Sequence, residues 1–252
     1  MTAGVARRDA PHLAAIWRHP VKGIGREALQ SAELSASAPL PGDRAWALLH
    51  GEAEDTDAWQ PRRNFLVTAS GPRLAQVEAV TEGGRITLTH PQEGTLTIDP
   101  GRDGARLIDW VRPLWPEDRP VPMRLAKAPP EGMADNGQAQ VAILNRASLR
   151  ALSERVGQKL EETRFRGNLV LDGLPPWGEF DWIGTMIRIG PVTLRVTDRI
   201  GRCRATEASP VTGRRDADTL AALRDGWGHR DFGVYATVLG GGKVTVGDAV
   251  TE

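Results

Sequence analysis

The sequence predicts an α+β protein that is mostly β. Short apolar segments with two-residue alternation recur along the N-terminal half, as strands with one buried face require. Glycine and proline, 28 and 18 of the 252 residues, punctuate those segments and supply turns. Helical spacing occurs in three short stretches. The length allows one large domain or two small ones, with enough chain to bury a core.

Leu13–Arg18 is an apolar run that ends at His19-Pro20, a strand entering a turn. Lys22 follows, between the strand end and Gly23. Such a lysine is either a solvated turn residue or an ammonium aimed at an anion. Ala28–Leu34 alternates weakly and reads as a second strand. Leu40–Arg44 is a turn, so Arg44 stands at the entrance of the buried strand Ala45–Leu49. Gly51–Asp57 reads as an acidic surface loop, and Arg62 and Arg63 as surface charges. Arg85–Thr89 and Thr95–Ile98 alternate, and Pro91 and Gly94 between them predict a hairpin. Leu107, Ile108, Val111 and Leu114 have helical spacing, with Pro113 ending the helix early.

The proline-rich stretch Pro116–Pro130 marks a boundary between an N-terminal half, 1–115, and a C-terminal half, 116–252. Val141–Leu144 is a strand. Asn145 then caps a helix whose apolar face is Leu149, Leu152 and Val156. Arg164-Phe165-Arg166-Gly167-Asn168 leads into the strand Leu169–Leu171. Met186–Ile189 and Val192–Val196 flank Gly190-Pro191 as a hairpin. Asp218–Arg224 is a short helix. Gly233–Leu239 and Val244–Val246, joined by Gly240–Lys243, are expected to close the chain as a hairpin. Trp46 and Trp182 read as core residues.

Acidic and basic residues number 32 each, so no global field favours nucleic acid or an anionic membrane. No apolar run reaches transmembrane length. Met1–Pro11 is polar and is not a secretory signal. A single cysteine excludes an intrachain disulfide and fits a reducing compartment. These features predict a cytoplasmic protein. One cysteine and five scattered histidines offer no zinc-ligand spacing. Phosphate-loop and dinucleotide-binding glycine motifs are missing.

That single cysteine, Cys203, lies in Ile200–Gly213 between Arg202 and Arg204. Guanidinium neighbours favour the thiolate, which is both a nucleophile and a soft metal ligand. The alternative is a buried cysteine packed as a small hydrophobe. Lys22, Arg44, Arg166 and Arg202 sit at loop edges, and Asn168 adds a two-way hydrogen-bonding group. Guanidinium forks match phosphate oxygens. Spacing alone leaves open whether these residues converge.

The motifs in series resemble the MOSC family, named for the C-terminal domain of molybdenum cofactor sulfurase, together with its N-terminal β-barrel companion. They are His19-Pro20-Val21-Lys22, Gly42-Asp43-Arg44-Ala45-Trp46, the run Arg164–Asn168, Arg202-Cys203, Ser209-Pro210-Val211-Thr212-Gly213, Phe232-Gly233-Val234-Tyr235 and Val246-Gly247-Asp248. The resemblance implies two β-barrel-like halves with a cofactor cleft between them. It implies molybdenum held by a pterin dithiolene, with Cys203 as the protein's sulfur ligand and the catalytic residue. Lys22, Arg44, Arg166, Asn168 and Arg202 match positions that hold the pterin and its phosphate. The implied activity is reduction of small N-hydroxylated or N-oxygenated compounds, with electrons from a separate redox protein, since no fused iron–sulfur domain follows. The alternative is a carrier of the cofactor, or of sulfur as a Cys203 persulfide, without reductase activity. Three positions depart from the family pattern. Ser209 replaces an Asp, Gly167 stands where Pro is frequent, and Ala58-Trp59-Gln60 lacks an expected Arg.

Overall fold

The computed structural model describes residues 10–252, so nine residues of the polar opening Met1–Pro11 lie outside the described residues. In chain order the strands are β1 (His12–Arg18), β2 (Glu27–Leu29), β3 (Ser31–Leu34), β4 (Trp46–His50), β5 (Glu78–Glu82), β6 (Arg85–His90), β7 (Gly94–Ile98) and β8 (Pro122–Lys127). They continue as β9 (Val141–Asn145), β10 (Leu169–Asp172), β11 (Met186–Ile189), β12 (Val192–Gly201), β13 (Asp231–Gly240), β14 (Gly242–Thr245) and β15 (Val250–Thr251). The helices are α1 (Gly104–Val111), α2 (Arg146–Val156) and α3 (Thr219–Trp227). Asn145 caps α2 by accepting from the Ala147 N–H, and Gly157 ends it in the left-handed conformation. No helix among the described residues is long and apolar enough to cross a membrane.

The main sheet runs β15-β11-β12-β13-β9-β10-β1-β2. β9 and β10 are parallel, as the crossover through α2 requires, and the other neighbours are antiparallel. Three smaller sheets are β14-β3, β4-β8 and β5-β6-β7. Hydrogen-bonded ladders therefore cross the 115/116 position. β1 and β2 complete the sheet of the C-terminal half, and β3 pairs with β14. The proline-rich stretch contains β8, which pairs with β4. Among the described residues the ladders close no barrel, and the main sheet ends at β15 and β2. A bridge between His12 and Ala249 brings the segment before β15 against β1.

Strand alternation builds the core directly. Val192, Leu194 and Val196 on β12 and Val234, Ala236 and Val238 on β13 are buried against Leu13, Ile16, Ile143 and Leu169. Each Val, Leu or Ile side chain among them contributes about 1.5–3 kcal/mol by leaving water. A second cluster, including Leu48, Leu66, Leu88, Leu107 and Val111, lies under α1. A third joins Leu144, Leu152, Leu223 and Phe232, residues of α2, α3 and the strands beside them, with Phe165 from the 3-10 turn before β10.

The terminal hairpin expected across Gly240–Lys243 does not form. β13 pairs with β12 and β9, whereas β14 crosses to β3. Glycine permits this crossing: a Cβ on Gly241 would sit 2.6 Å from the Leu34 carbonyl oxygen.

Gly233 carries the closest strand approach near the cysteine loop. Its φ is +77°, and a Cβ there would strike the Ile143 carbonyl oxygen and lie 2.7 Å from Leu144 Cδ2. Gly233→Ala is expected to destabilise the protein by on the order of 3 kcal/mol. Denaturant unfolding would read this as a lower midpoint, and an unchanged midpoint would mean that β9 and β13 have slack there.

Candidate functional site

Lys22, Arg44, Arg166, Asn168, Arg202 and Cys203 line one cavity. Backbone bonds from several segments place them. The Lys22 N–H donates to the Trp46 carbonyl at 2.7 Å, and the Arg44 N–H donates to the His19 carbonyl at 2.6 Å. The turn before β4 is thereby laced to the turn after β1. Arg44 and Arg166 both adopt the left-handed conformation, with φ of +50° and +47°. That conformation is uncommon for a long side chain and is kept only where surroundings impose it. Cys203 caps the short 3-10 turn Arg204–Glu207 that follows β12. Its carbonyl accepts from both the N–H and the hydroxyl of Thr206 at 3.1 Å.

The guanidinium groups are tied to backbone of other segments. Arg44 donates to Asp43 Oδ2 and, at 2.8 Å, to the Arg166 carbonyl. Arg166 donates to the carbonyls of Gly25 and Val21 at 3.2 and 3.3 Å. Arg202 donates to the Phe165 carbonyl at 2.8 Å and twice to that of Phe232. It also lies over the stacked Phe165 and Phe232 rings, 5.6 and 5.9 Å from their centroids. Lys22 Nζ donates to the Met133 carbonyl at 2.6 Å and to Asp135 Oδ1 at 2.5 Å.

Charge in the cavity is unbalanced. Among the described residues Arg44 pairs with Asp43 and Lys22 with Asp135, but Arg166 and Arg202 have no carboxylate partner. Burial, then the neighbouring Arg44, brings the Arg166 guanidinium down to about 9. Burial likewise brings Arg202 down to about 10. Burial also lowers Lys22, against the pull of Asp135. For Arg44, burial pushes down but the Asp43 carboxylate prevails, and its pKa is raised. An anion entering the cavity would relieve the cations that lack a partner.

The other arginines close to Cys203 in sequence, Arg204 in its loop and Arg199 on β12, point elsewhere. Arg204 pairs with Glu207 at 2.9 Å, and Arg199 covers the Phe180 ring at 4.3 Å. The loop is held at its far side by Arg164, which bonds Asp216 and the Glu207 carbonyl. Asn168 lines the cavity, yet its amide serves the framework. Its Oδ1 accepts from the Ala142 N–H at 3.0 Å, and its Nδ2 donates to the Trp17 carbonyl at 3.2 Å.

Sequence reasoning missed Asp135, Tyr235 and Gln140, which also line the cavity, and it assigned Arg62, another lining residue, to the surface. Tyr235 lies in the Phe-Gly-Val-Tyr motif, so its position was available. Asp135 lies in an irregular segment with no periodicity to flag it. Two departures from the family pattern have local explanations. Ser209 Oγ accepts from the Val211 and Thr212 N–H groups at 3.2 Å, the turn-capping that a carboxylate could also supply. A Cβ at Gly167 would strike Leu144, so a side chain at Gly167 is incompatible with Leu144 as placed.

The family model described as the MOSC domain matches residues 124–251, and that described as the MOSC N-terminal beta barrel domain matches residues 10–108. The chain belongs to the MOSC family. It is similar to human mitochondrial amidoxime-reducing component 1, with 27% identity over 94% of this chain and 82% of that protein. It is also similar to the molybdenum cofactor sulfurase of Anopheles gambiae, with 34% identity over 42% of this chain and 15% of that protein. In fold it is similar to the YUAD protein of Bacillus subtilis, with a TM-score of 0.50 and 12% identity over 97% of this chain and 96% of that one.

His19, beneath the cavity, gives a pH test of this framework. It is fully buried; its N–H donates to Asp43 Oδ1 at 2.7 Å, and its Nδ1 lies 3.3 Å from the same oxygen. Burial, then the nearby Arg166, lowers its pKa from 6.5 to about 3. Between those values the unfolded chain binds a proton that the folded chain refuses, so His19 makes stability fall as pH falls. The slope from one such group is about 1.4 kcal/mol per pH unit. His19→Gln is expected to lose this slope. Its stability deficit against wild type should be largest above pH 6.5 and shrink on acidification, as denaturant unfolding at several pH values would report. A constant deficit would contradict the neutral, buried assignment.

Proposed function

We propose that the cavity holds the molybdenum cofactor and that the protein reduces N-hydroxylated or N-oxygenated compounds with it. The observation that carries this reading is a thiol lining one cavity with two half-buried guanidinium groups that have no carboxylate partner among the described residues. The residues fit the group. Among the described residues no three His, Cys, Asp or Glu side chains gather as a metal cage. Cys203 therefore offers a single soft thiolate, suited to a metal whose remaining ligands arrive with an organic anion. Arg166, Arg202 and Arg44, with Lys22, supply the cationic surround for that anion. Asn168 contributes by holding β1 and β10 in register with β9 beneath them.

When bound, the cofactor would supply the two-electron chemistry that removes oxygen from nitrogen. The chain's own part is to bind and orient it and to keep Cys203 at the cavity wall. Similarity to the amidoxime-reducing component supports the substrate class, and similarity to the sulfurase supports the cofactor. A lone cysteine cannot hold a four-thiolate iron–sulfur cluster, so electrons would come from a separate redox protein. The working unit would span both halves, 1–115 and 116–252, since cations from each face the cavity. The reduced thiol suits the cytoplasm.

Protein made in a host that synthesises the cofactor should carry molybdenum and pterin, and should reduce an amidoxime with dithionite or reduced viologen. Cys203→Ala should abolish turnover, because water is a harder ligand than thiolate. Retained turnover in that variant would remove Cys203 from the chemistry. Arg166→Ala should lower pterin content, with a loss of about 1.5–3 kcal/mol for a charge-assisted bond, and Arg166→Lys should fall in between. Full metal content without turnover on any N-hydroxylated substrate would favour the carrier reading. Absence of both metal and pterin would refute the cofactor assignment.

A further inference from the structure

The ammonium of Lys22 is already occupied. Its Nζ is buried, with 4% of the side chain exposed, and it spends donors on the Met133 carbonyl and on Asp135 Oδ1. Asp135 differs from the other carboxylate at the cations. Asp43 is buried and locked by bonds from His19 and Arg44. Asp135 keeps 48% of its side-chain surface and belongs to an irregular segment between β8 and β9. Its second oxygen lies 3.8 Å from Arg62, another cavity residue. One carboxylate thus spans two cations at the cavity wall, in the place an anionic ligand would take.

We propose that Asp135 is an intramolecular counter-anion that competes with the cavity's ligand for Lys22. It neutralises the buried ammonium until an anion displaces it, so ligand entry and release of the Asp135 carboxylate are one exchange. The inference rests on the reading that the cavity accepts a polyanion, and it adds a residue that limits access to it. Small, weakly charged anions gain too little to make the exchange, whereas a polyanion that engages Arg166 and Arg202 as well does so. Two local bonds keep the carboxylate in reach: the Met133 N–H donates to the Arg44 carbonyl at 3.1 Å, and Trp59 Nε1 donates to the Ala134 carbonyl at 2.8 Å.

Titration of cofactor-free full-length protein with inorganic pyrophosphate, followed by calorimetry, tests this without any activity assay. Removing one competing charge at a half-exposed pair should tighten pyrophosphate binding by roughly tenfold in Asp135→Asn. The gain should vanish when Lys22 is removed: Lys22→Met/Asp135→Asn should bind no tighter than Lys22→Met. Equal or weaker binding by Asp135→Asn, with wild type still binding, overturns the competing role and leaves the polyanion reading standing. A gain that persists without Lys22 also overturns it, since the competition would then be for another cation. No binding by wild type or any variant overturns both. Cooperative thermal unfolding of Asp135→Asn well above the titration temperature, with a midpoint somewhat below wild type because Lys22 loses its counter-ion, would exclude misfolding as the cause of any change.

Discussion

Arg44 is the point at which three parts of the chain are fastened. Its N–H binds the turn after β1, its carbonyl receives Met133, and its guanidinium bridges Asp43 and the Arg166 carbonyl. Asp43 in turn receives the His19 N–H. A left-handed arginine is tolerated here because its N–H, its carbonyl and one guanidinium nitrogen each have a partner on a different segment. Removing the Arg44 guanidinium would leave the buried Asp43 carboxylate with only its His19 bonds and no paired cation, which costs more than the pair itself contributes.

The cavity is cationic by construction, because two of its guanidinium groups, those of Arg166 and Arg202, are anchored through neutral carbonyls. Carbonyl partners fix position and satisfy hydrogen bonding without cancelling charge. That choice separates Arg164 from Arg166. Arg164 is clamped by Glu161 and Asp216 and acts as a brace between the turn before β10 and the cysteine loop. Arg166, two residues on, donates only to carbonyl oxygens and has no ion-pair partner among the described residues. Neighbouring residues of one type thus serve structure and electrostatics separately, decided by what stands opposite each.

Much of this was legible in the sequence where the signal was local. Two-residue alternation located β6, β7, β11 and the start of β12, and Asn145 marked the start of α2. The six candidate site residues could be named because each lies in a short motif, and the structure gathers them at one cavity. What stayed hidden depends on distant partners. β8 sits among prolines and becomes a strand by pairing with β4. β14 leaves its expected partner because β3, more than two hundred residues upstream in sequence, offers a free edge. Asn168 also ties β9 to the end of β1 through Ala142 and Trp17, a framework role that no spacing argument could foresee. Arg199 and Arg204 flank the cysteine region in sequence but are drawn off by Phe180 and Glu207.

The donors left over define what the cavity can grip. A guanidinium has five N–H donors in a fixed fork and an ammonium has three. Arg166 commits two nitrogens to carbonyls, and Lys22 commits two donors to Met133 and Asp135. The uncommitted donors belong to groups whose orientation is already set by backbone bonds, so a ligand need not pay for ordering them. Such preorganisation depends on contact between the halves: Arg166 is held by Val21 and Gly25, and Arg44 by the Arg166 carbonyl. Neither half alone would present this array. The array of cations is therefore a property of the assembled chain, and the cysteine loop after β12 brings the thiol to the same cavity.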